Sequence, residues 1–191
     1  RVMTPVVSSA QSRADALGVI LSAVLILTGL LWQQIQPKVP DSVQLMGDEG
    51  FDLAENLPEA VQTELAWASH LLLTNTATRS VLVYYDQRML LRRGDMSPES
   101  SLTPGTNVQR EKDKQKPNYL VNLALYPGKV EFSYLPENTQ GVICQPLGDK
   151  GVLILGANAP RSYTQQDEAW IAGIADKIAD SLTCQLTAAN R

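Results

Sequence analysis

Histidine is almost absent from this chain and cysteine is scarce, and both shortages narrow the chemistry open to it. The 191 residues contain one histidine, His70, and two cysteines, Cys144 and Cys184. The cysteines stand 40 residues apart and form no CxxC or CxxCH. A small buried hydrophobe is the expectation at each, with a disulfide, a haem thioether or metal ligation as the alternatives. His70 falls in a helical stretch with no cysteine or second histidine nearby, which speaks against a structural metal site. An ordinary polar residue is expected there, and an axial haem ligand is the alternative. The chain also lacks GxSxG, Walker, GxGxxG and HExxH patterns. That lack weakens every enzyme reading, and no catalytic or metal-binding residue is assigned. Strong charge is missing too, since the net value is −4, which argues against a nucleic-acid binder. The one basic cluster, REKDKQK at Arg110–Lys116, holds two acidic residues and reads as a solvated loop, with lipid-headgroup or partner docking as the alternative.

What the chain does have is a long hydrophobic run. From Ala16 to Trp32 there is no charged residue, and the apolar character continues to Ile35 before Pro37 ends any helix. At about 1.5 Å of rise per residue, some 20 residues match a hydrocarbon core of roughly 30 Å. Arg13 and Asp15 mark one border; Trp32, two glutamines and Lys38 mark the other, as membrane interfaces favour. A transmembrane helix over residues 16–35 is therefore expected, with a buried core helix or a signal peptide as alternatives. Within it Gly18, Ser22, Leu25 and Gly29 share one face, and small residues there would let a second membrane helix approach closely. The plainer alternative is that glycine and serine are frequent in membrane helices.

Residues 1–15 read as a loop entering the membrane, and residues 36–56, with two prolines, two glycines and five acidic residues, as a linker. The remainder suits one globular domain over residues 57–186, followed by a short tail at 187–191. Asn56 is a plausible cap for a helix in which Val61, Leu65, Ala68 and Leu72 recur at helical spacing. Trp67 and Leu71 form a second apolar seam on it, a candidate partner surface or a sign of deeper burial. Arg79–Tyr85 alternates as a strand and returns through Met89–Arg92 as a hairpin. A short strand is expected over Tyr119–Leu123, then a Tyr-Pro-Gly turn and an irregular loop to Gln140. Two apolar strands, Gly141–Pro146 and Val152–Ala157, flank a tight Gly-Asp-Lys-Gly turn. Thr164 with Asp167 makes a capping-box-like start to a final helix, with Trp170, Ile171, Ile174, Ala175, Ile178 and Leu182 expected on its buried face.

This order of elements, with QPLGDKGVLILG at Gln145–Gly156 and YTQQDEAWI at Tyr163–Ile171, resembles a GAF domain. The fold class implied is α/β, or α+β, with a central antiparallel sheet packed by helices behind an N-terminal membrane helix. QSRAD at Gln11–Asp15, LTGLLW at Leu27–Trp32, SYLPENTQ at Ser133–Gln140 and QPLGDKG at Gln145–Gly151 further resemble the cofactor assembly of complex C family, in its members of the type numbered two and four.

The resemblance implies a membrane-anchored assembly factor for the cytochrome b6f complex. Such a factor assists covalent attachment of the c-type haem to cytochrome b6, in a heteromer with a paralogue. The partners implied are that paralogue, apo-cytochrome b6 and membrane lipid, with no nucleic acid. No tightly bound cofactor is expected, and haem would be handled transiently. The loop region Tyr119–Tyr134 joins Trp67, Leu71 and the small-residue face as an expected surface. The family has two membrane helices before its soluble domain, so a chain opening on Arg1 with one such helix reads as a fragment starting after the first. Arg1 and Arg13 against Lys38 would weakly place the N-terminal side in the cytoplasm. The resemblance instead implies a thylakoid membrane with the soluble domain on the cytoplasmic or stromal side. A tethered GAF-type ligand sensor is the alternative from another class, and a haem lyase using Cys144, Cys184 or His70 is a third.

Overall fold

An apolar stretch with no polar neighbour to pair its backbone satisfies its amides within itself, and a helix is the local way to do so. The computed structural model describes residues 9–35, 41–98, 105 and 115–189, and the chain divides into two compact units, Arg1–Val39 and Pro40–Arg191. In the first, α1 runs over Ser9–Ile35. Its 20-residue segment Arg13–Trp32 has a mean hydropathy of 2.2 and none of its residues is buried among the described residues, so it is long and apolar enough to cross a bilayer. The hydroxyls on it are satisfied locally: Ser22 donates to the Gly18 carbonyl and Thr28 to that of Val24, each at 2.8 Å. The helix starts at Ser9, inside the stretch read as a loop, because Ala10, Gln11, Arg13 and Ala14 are good helix formers that a search for apolar residues passes over.

The second unit is built on six antiparallel strands in the order β1-β3-β2-β6-β5-β4. These are β1 (Asp48–Leu53), β2 (Thr78–Tyr85), β3 (Arg88–Met96), β4 (Asn118–Leu120), β5 (Gly141–Leu147) and β6 (Gly151–Ala157). Two helices, α2 (Glu59–Asn75) and α3 (Gln165–Ala189), pack on one face of the sheet. Two short 3-10 helices, Leu123–Leu125 and Lys129–Phe132, and their connecting loops cover the other.

The pleat explains this division. Along β2, Val81, Val83 and Tyr85 point to the helices while Leu82 and Tyr84 point to the loops. All seven residues of the central strand β6 are buried, so its sequence reads as a continuous apolar run rather than an alternation. Val61, Leu65, Ala68 and Leu72 of α2 and Ile171, Ile174, Ala175, Ile178 and Leu182 of α3 complete the helix-side core. The reciprocal cap of α3 is present: Thr164 N–H donates to Asp167 Oδ2 at 2.8 Å, and Asp167 N–H to Thr164 Oγ1 at 3.2 Å.

Several boundaries differ from the sequence reading. β1 lies inside the stretch read as a linker, 36–56, and its whole length pairs with β3. DEGFDL has little strand propensity of its own, so a nonlocal ladder makes it a strand, and its three acidic residues guard an edge. Asn56, read as a helix cap, instead takes a left-handed turn at φ 65°, and α2 starts after Pro58. The expected strand Tyr119–Leu123 stops at Leu120, and Leu123 begins a 3-10 turn capped by Asn122. Trp170 lies outside the buried stripe of α3, being 48% exposed. The tail read at 187–191 is helical as far as Ala189. Residues 1–8, most of the basic cluster Arg110–Lys116 and most of the loop read between Gly94 and Asn118 lie outside the described residues.

Candidate interaction surfaces

The small-residue face of α1 arises directly from its sequence. Gly18, Ser22, Leu25 and Gly29 recur at steps that keep one direction on a helix. A Cβ built at Gly18 or Gly29 would meet nothing within 4 Å, so no contact among the described residues demands glycine at either position.

On the second unit, α2 and α3 lie side by side and both carry aromatic bulk on the outside. Trp67 of α2 is 46% exposed, while Leu71, one turn on, is half-buried and packs against the helix-side core. Lys177 of α3 reaches across to Glu64 of α2 at 3.0 Å, and its ammonium lies 6.0 Å from the centre of the Trp67 ring. The sequence placed Trp67 and Leu71 on one seam, and the structure separates their roles: Leu71 serves the core and Trp67 faces outward. Trp170 is the aromatic that sequence reasoning assigned to the wrong side. Its one-residue offset from Ile171 is about 100° on a helix, enough to turn it out of the core.

The sheet face beneath the loops is where the pocket of the ligand-sensor alternative would lie. Here Phe132, Tyr134 and Leu135 descend from the loops and pack with Leu82, Val142 and Ile154. Phe132 and Tyr134 meet with ring centres 6.0 Å apart. A cleft of about 360 Å³ remains at the rim, lined by Leu123, Lys129, Phe132, Leu135, Pro136 and Glu137 among others. Beside it, Arg92, buried on the sheet, donates to the Ser97 carbonyl at 2.7 Å.

The chemistry-bearing residues are dispersed. Cys144 is fully buried among the loop-side residues, as expected of a small hydrophobe, whereas Cys184 is exposed on α3. Neither forms a disulfide. His70 is exposed on α2, beside a cleft shared with Phe51 and Arg93. Among the described residues, no three His, Cys, Asp or Glu side chains gather as a metal site.

Tyr163 is a buried titratable group whose ionisation is strongly perturbed. Burial pushes its phenol well above the ordinary tyrosine value, partly opposed by its hydrogen bond with Thr78, at 3.0 Å between the oxygens. Its N–H donates to the Tyr119 hydroxyl at 3.1 Å, and the two rings meet edge to face. This cluster ties β4, β2 and the entry to α3 together, which is a structural task. Burial also raises the Asp95 carboxyl, with Glu49 adding to the rise and Arg79 opposing it.

Comparison with known proteins matches these features to a family. The chain is 38% identical over 182 residues to the chloroplastic cofactor assembly of complex C protein CCB4 of Arabidopsis thaliana, covering 90% of this chain and 61% of that protein. It is 25% identical over 190 residues to the chloroplastic CCB2 protein of the same plant, covering 90% of this chain and 68% of that one. The chain thus spans about three-fifths of the CCB4 relative's length.

Among solved structures, a GAF domain/HD domain protein from Geobacter sulfurreducens superimposes with a TM-score of 0.53 at 15% identity, over 66% of this chain and 94% of that one. A type II free methionine-R-sulfoxide reductase from Thermoplasma acidophilum does so with a TM-score of 0.52 at 19% identity, over 66% and 94%. At such identities these likenesses show the fold alone, and that fold is GAF-like. The model of the CCB2/CCB4 family, described as cofactor assembly of complex C, matches residues 1–178, and the chain belongs to that family.

Proposed function

We propose that this chain is a membrane-anchored assembly factor for the cytochrome b6f complex, assisting covalent attachment of the c-type haem to cytochrome b6 as a partner of a paralogue. The observation that carries this reading is the family match over residues 1–178, which takes in both the apolar helix and most of the GAF-like unit. The relatives' names speak of cofactor assembly, and two paralogous types exist in one plant.

In this reading α1 anchors the protein in a thylakoid membrane, and its face of Gly18, Ser22, Leu25 and Gly29 packs on a second membrane helix. The GAF-like unit stands on the cytoplasmic or stromal side. Trp67, with Leu71 behind it, presents an aromatic anchor of the kind that dominates protein interfaces. Haem is cargo, handled in passing with apo-cytochrome b6, and the protein is a scaffold rather than an enzyme. The fully buried Cys144 supports that choice, because a thiol enclosed in apolar surroundings is out of reach of a reacting partner. The sensor alternative gains no support from the loop-covered sheet face, which Phe132, Tyr134 and Leu135 occupy.

The test is haem-peroxidase staining of denaturing gels from a strain lacking the gene. Loss of the cytochrome b6 signal with retention of that of cytochrome f is the expected result. Persistence of both signals would overturn the assignment.

A further inference from the structure

The loop from Leu120 to Val130 is far more apolar than the two hairpin turns of the second unit. Its sequence, LVNLALYPGKV, contains one charged residue, Lys129, whereas the β2–β3 turn is Asp86-Gln87 and the β5–β6 turn Gly148-Asp149-Lys150. Leu125 is 81% exposed and Val130 85%, more than any other large apolar side chain among the described residues, those of α1 included. Val121 is exposed as well. This outward placement is enforced. Leu123 and Phe132 are buried on either side, Leu123 N–H donates to the Gln140 carbonyl at 2.7 Å, and Arg161 N–H holds the Val121 carbonyl at 2.9 Å. Two 3-10 turns between those pins thrust Leu125 and Val130 away from the core.

The second unit meets its tether near this loop. Val43 N–H donates to the Asn158 carbonyl at 2.9 Å, and Met46 N–H to Asn138 Oδ1 at 2.8 Å. Pro136 and Glu137, just before Asn138, line the same cleft as Lys129 and Val130. Ten residues, 33–42, separate the apolar segment ending at Trp32 from this attachment. Even fully extended they reach at most about 36 Å, which bounds how far the attachment point stands from the headgroups once α1 is in a bilayer.

We propose that the Val121–Val130 loop is a second, peripheral membrane contact, with Leu125 and Val130 entering the headgroup and acyl boundary beside Tyr126 and Lys129. Apolar side chains flanked by an aromatic ring and a lysine have the chemistry of an interfacial segment. Such a contact would set the orientation of the GAF-like unit at the surface, which a ten-residue tether alone leaves open. The inference rests on α1 spanning the bilayer, and the test separates the two.

The full chain with Cys184→Ser is reconstituted in phosphatidylcholine vesicles containing nitroxide lipid, and single cysteines are introduced as L125C or V130C for labelling with bimane. The buried Cys144 does not compete for the label. D149C is the control, on an exposed hairpin at the far end of β5, about 20 Å along the strand from Gln140. V24C reports the span. The expected result is a blue-shifted emission with a several-fold loss of intensity to headgroup nitroxide at 125 and 130, none at 149, and quenching at 24 by acyl-chain nitroxide. Emission at 125 and 130 equal to that at 149, with 24 quenched, would overturn the proposal while leaving the span intact. A blue shift without quenching would assign the loop to a protein contact and overturn it too. An unquenched label at 24 would remove the span, and the proposal with it.

Discussion

Gly94 lets one substitution be worked through from geometry. It sits where β3 pairs on both sides, opposite Ser80 of β2 and Gly50 of β1, with φ at 94°. A Cβ there would collide with the Arg79 carbonyl oxygen, lie 3.0 Å from the carbonyl carbon, and crowd Leu73 Cδ2 at 3.2 Å. The obstacle is backbone within a ladder and cannot swing aside as a side-chain tip would. Positive φ costs an alanine about 1–2 kcal/mol, and forcing atoms into a packed site about 1–3 kcal/mol more. Gly94→Ala is therefore expected to destabilise the unit by about 2–5 kcal/mol, a fall of about 5–20 °C in Tm for a unit of this size. Gly148→Ala carries only the first cost, because φ is 55° but nothing lies within 4 Å. Gly173→Ala, in α3 with equally open space, should stabilise by up to about 1 kcal/mol. Thermal unfolding of the three variants in detergent, followed by near-ultraviolet circular dichroism, gives the order. If Gly94→Ala unfolds no earlier than Gly148→Ala, the collision argument is wrong.

Tyr163 makes stability sensitive to alkali. Burial raises its pKa in the folded state above the ordinary tyrosine value, so in alkali the unfolded chain loses a proton that the folded one keeps. Stability should hold below about pH 10 and decline above it, and Tyr163→Phe should flatten that decline in denaturant titrations at rising pH. Thiol labelling of the native chain should modify Cys184 alone, with Cys144 reacting only after denaturation, and Cys144→Ser with Cys184→Ser should leave cytochrome b6 haem attachment intact in vivo. Replacing Gly18, Ser22 and Gly29 with leucine should abolish association of the membrane helix, read by crosslinking in the bilayer. Trp67→Glu should weaken capture of the paralogue severalfold without lowering Tm, since the ring is half-exposed; unchanged capture would remove that surface from the interface.

Much of this architecture was legible because it is written in local signals. The buried stripes of α2 and α3, the two-faced alternation of β2, the apolar run of β6 and the Thr164–Asp167 cap each depend on neighbours a few residues away. The candidate surfaces were legible in part. Trp67 and the loop region stood out by composition, but the outward turn of Trp170 and the exposure of Leu125 and Val130 did not. An exposed leucine and a buried one are the same letter, and only packing partners distant in sequence tell them apart.

The apolar span, the element order, the GAF-like class and the resemblance that pointed to the family are written in short stretches of sequence, since hydrophobic period, caps and motifs are local properties. Tertiary structure alone decided that Asp48–Leu53 is a strand, because its ladder is supplied by β3 some forty residues away. It also decided that Phe132, Tyr134 and Leu135 fill the sheet face beneath the loops, and that a nearly uncharged loop points its leucine and valine at solvent. Those outcomes depend on which distant segments meet, and the free energy of burial acts on the meeting rather than on the segment.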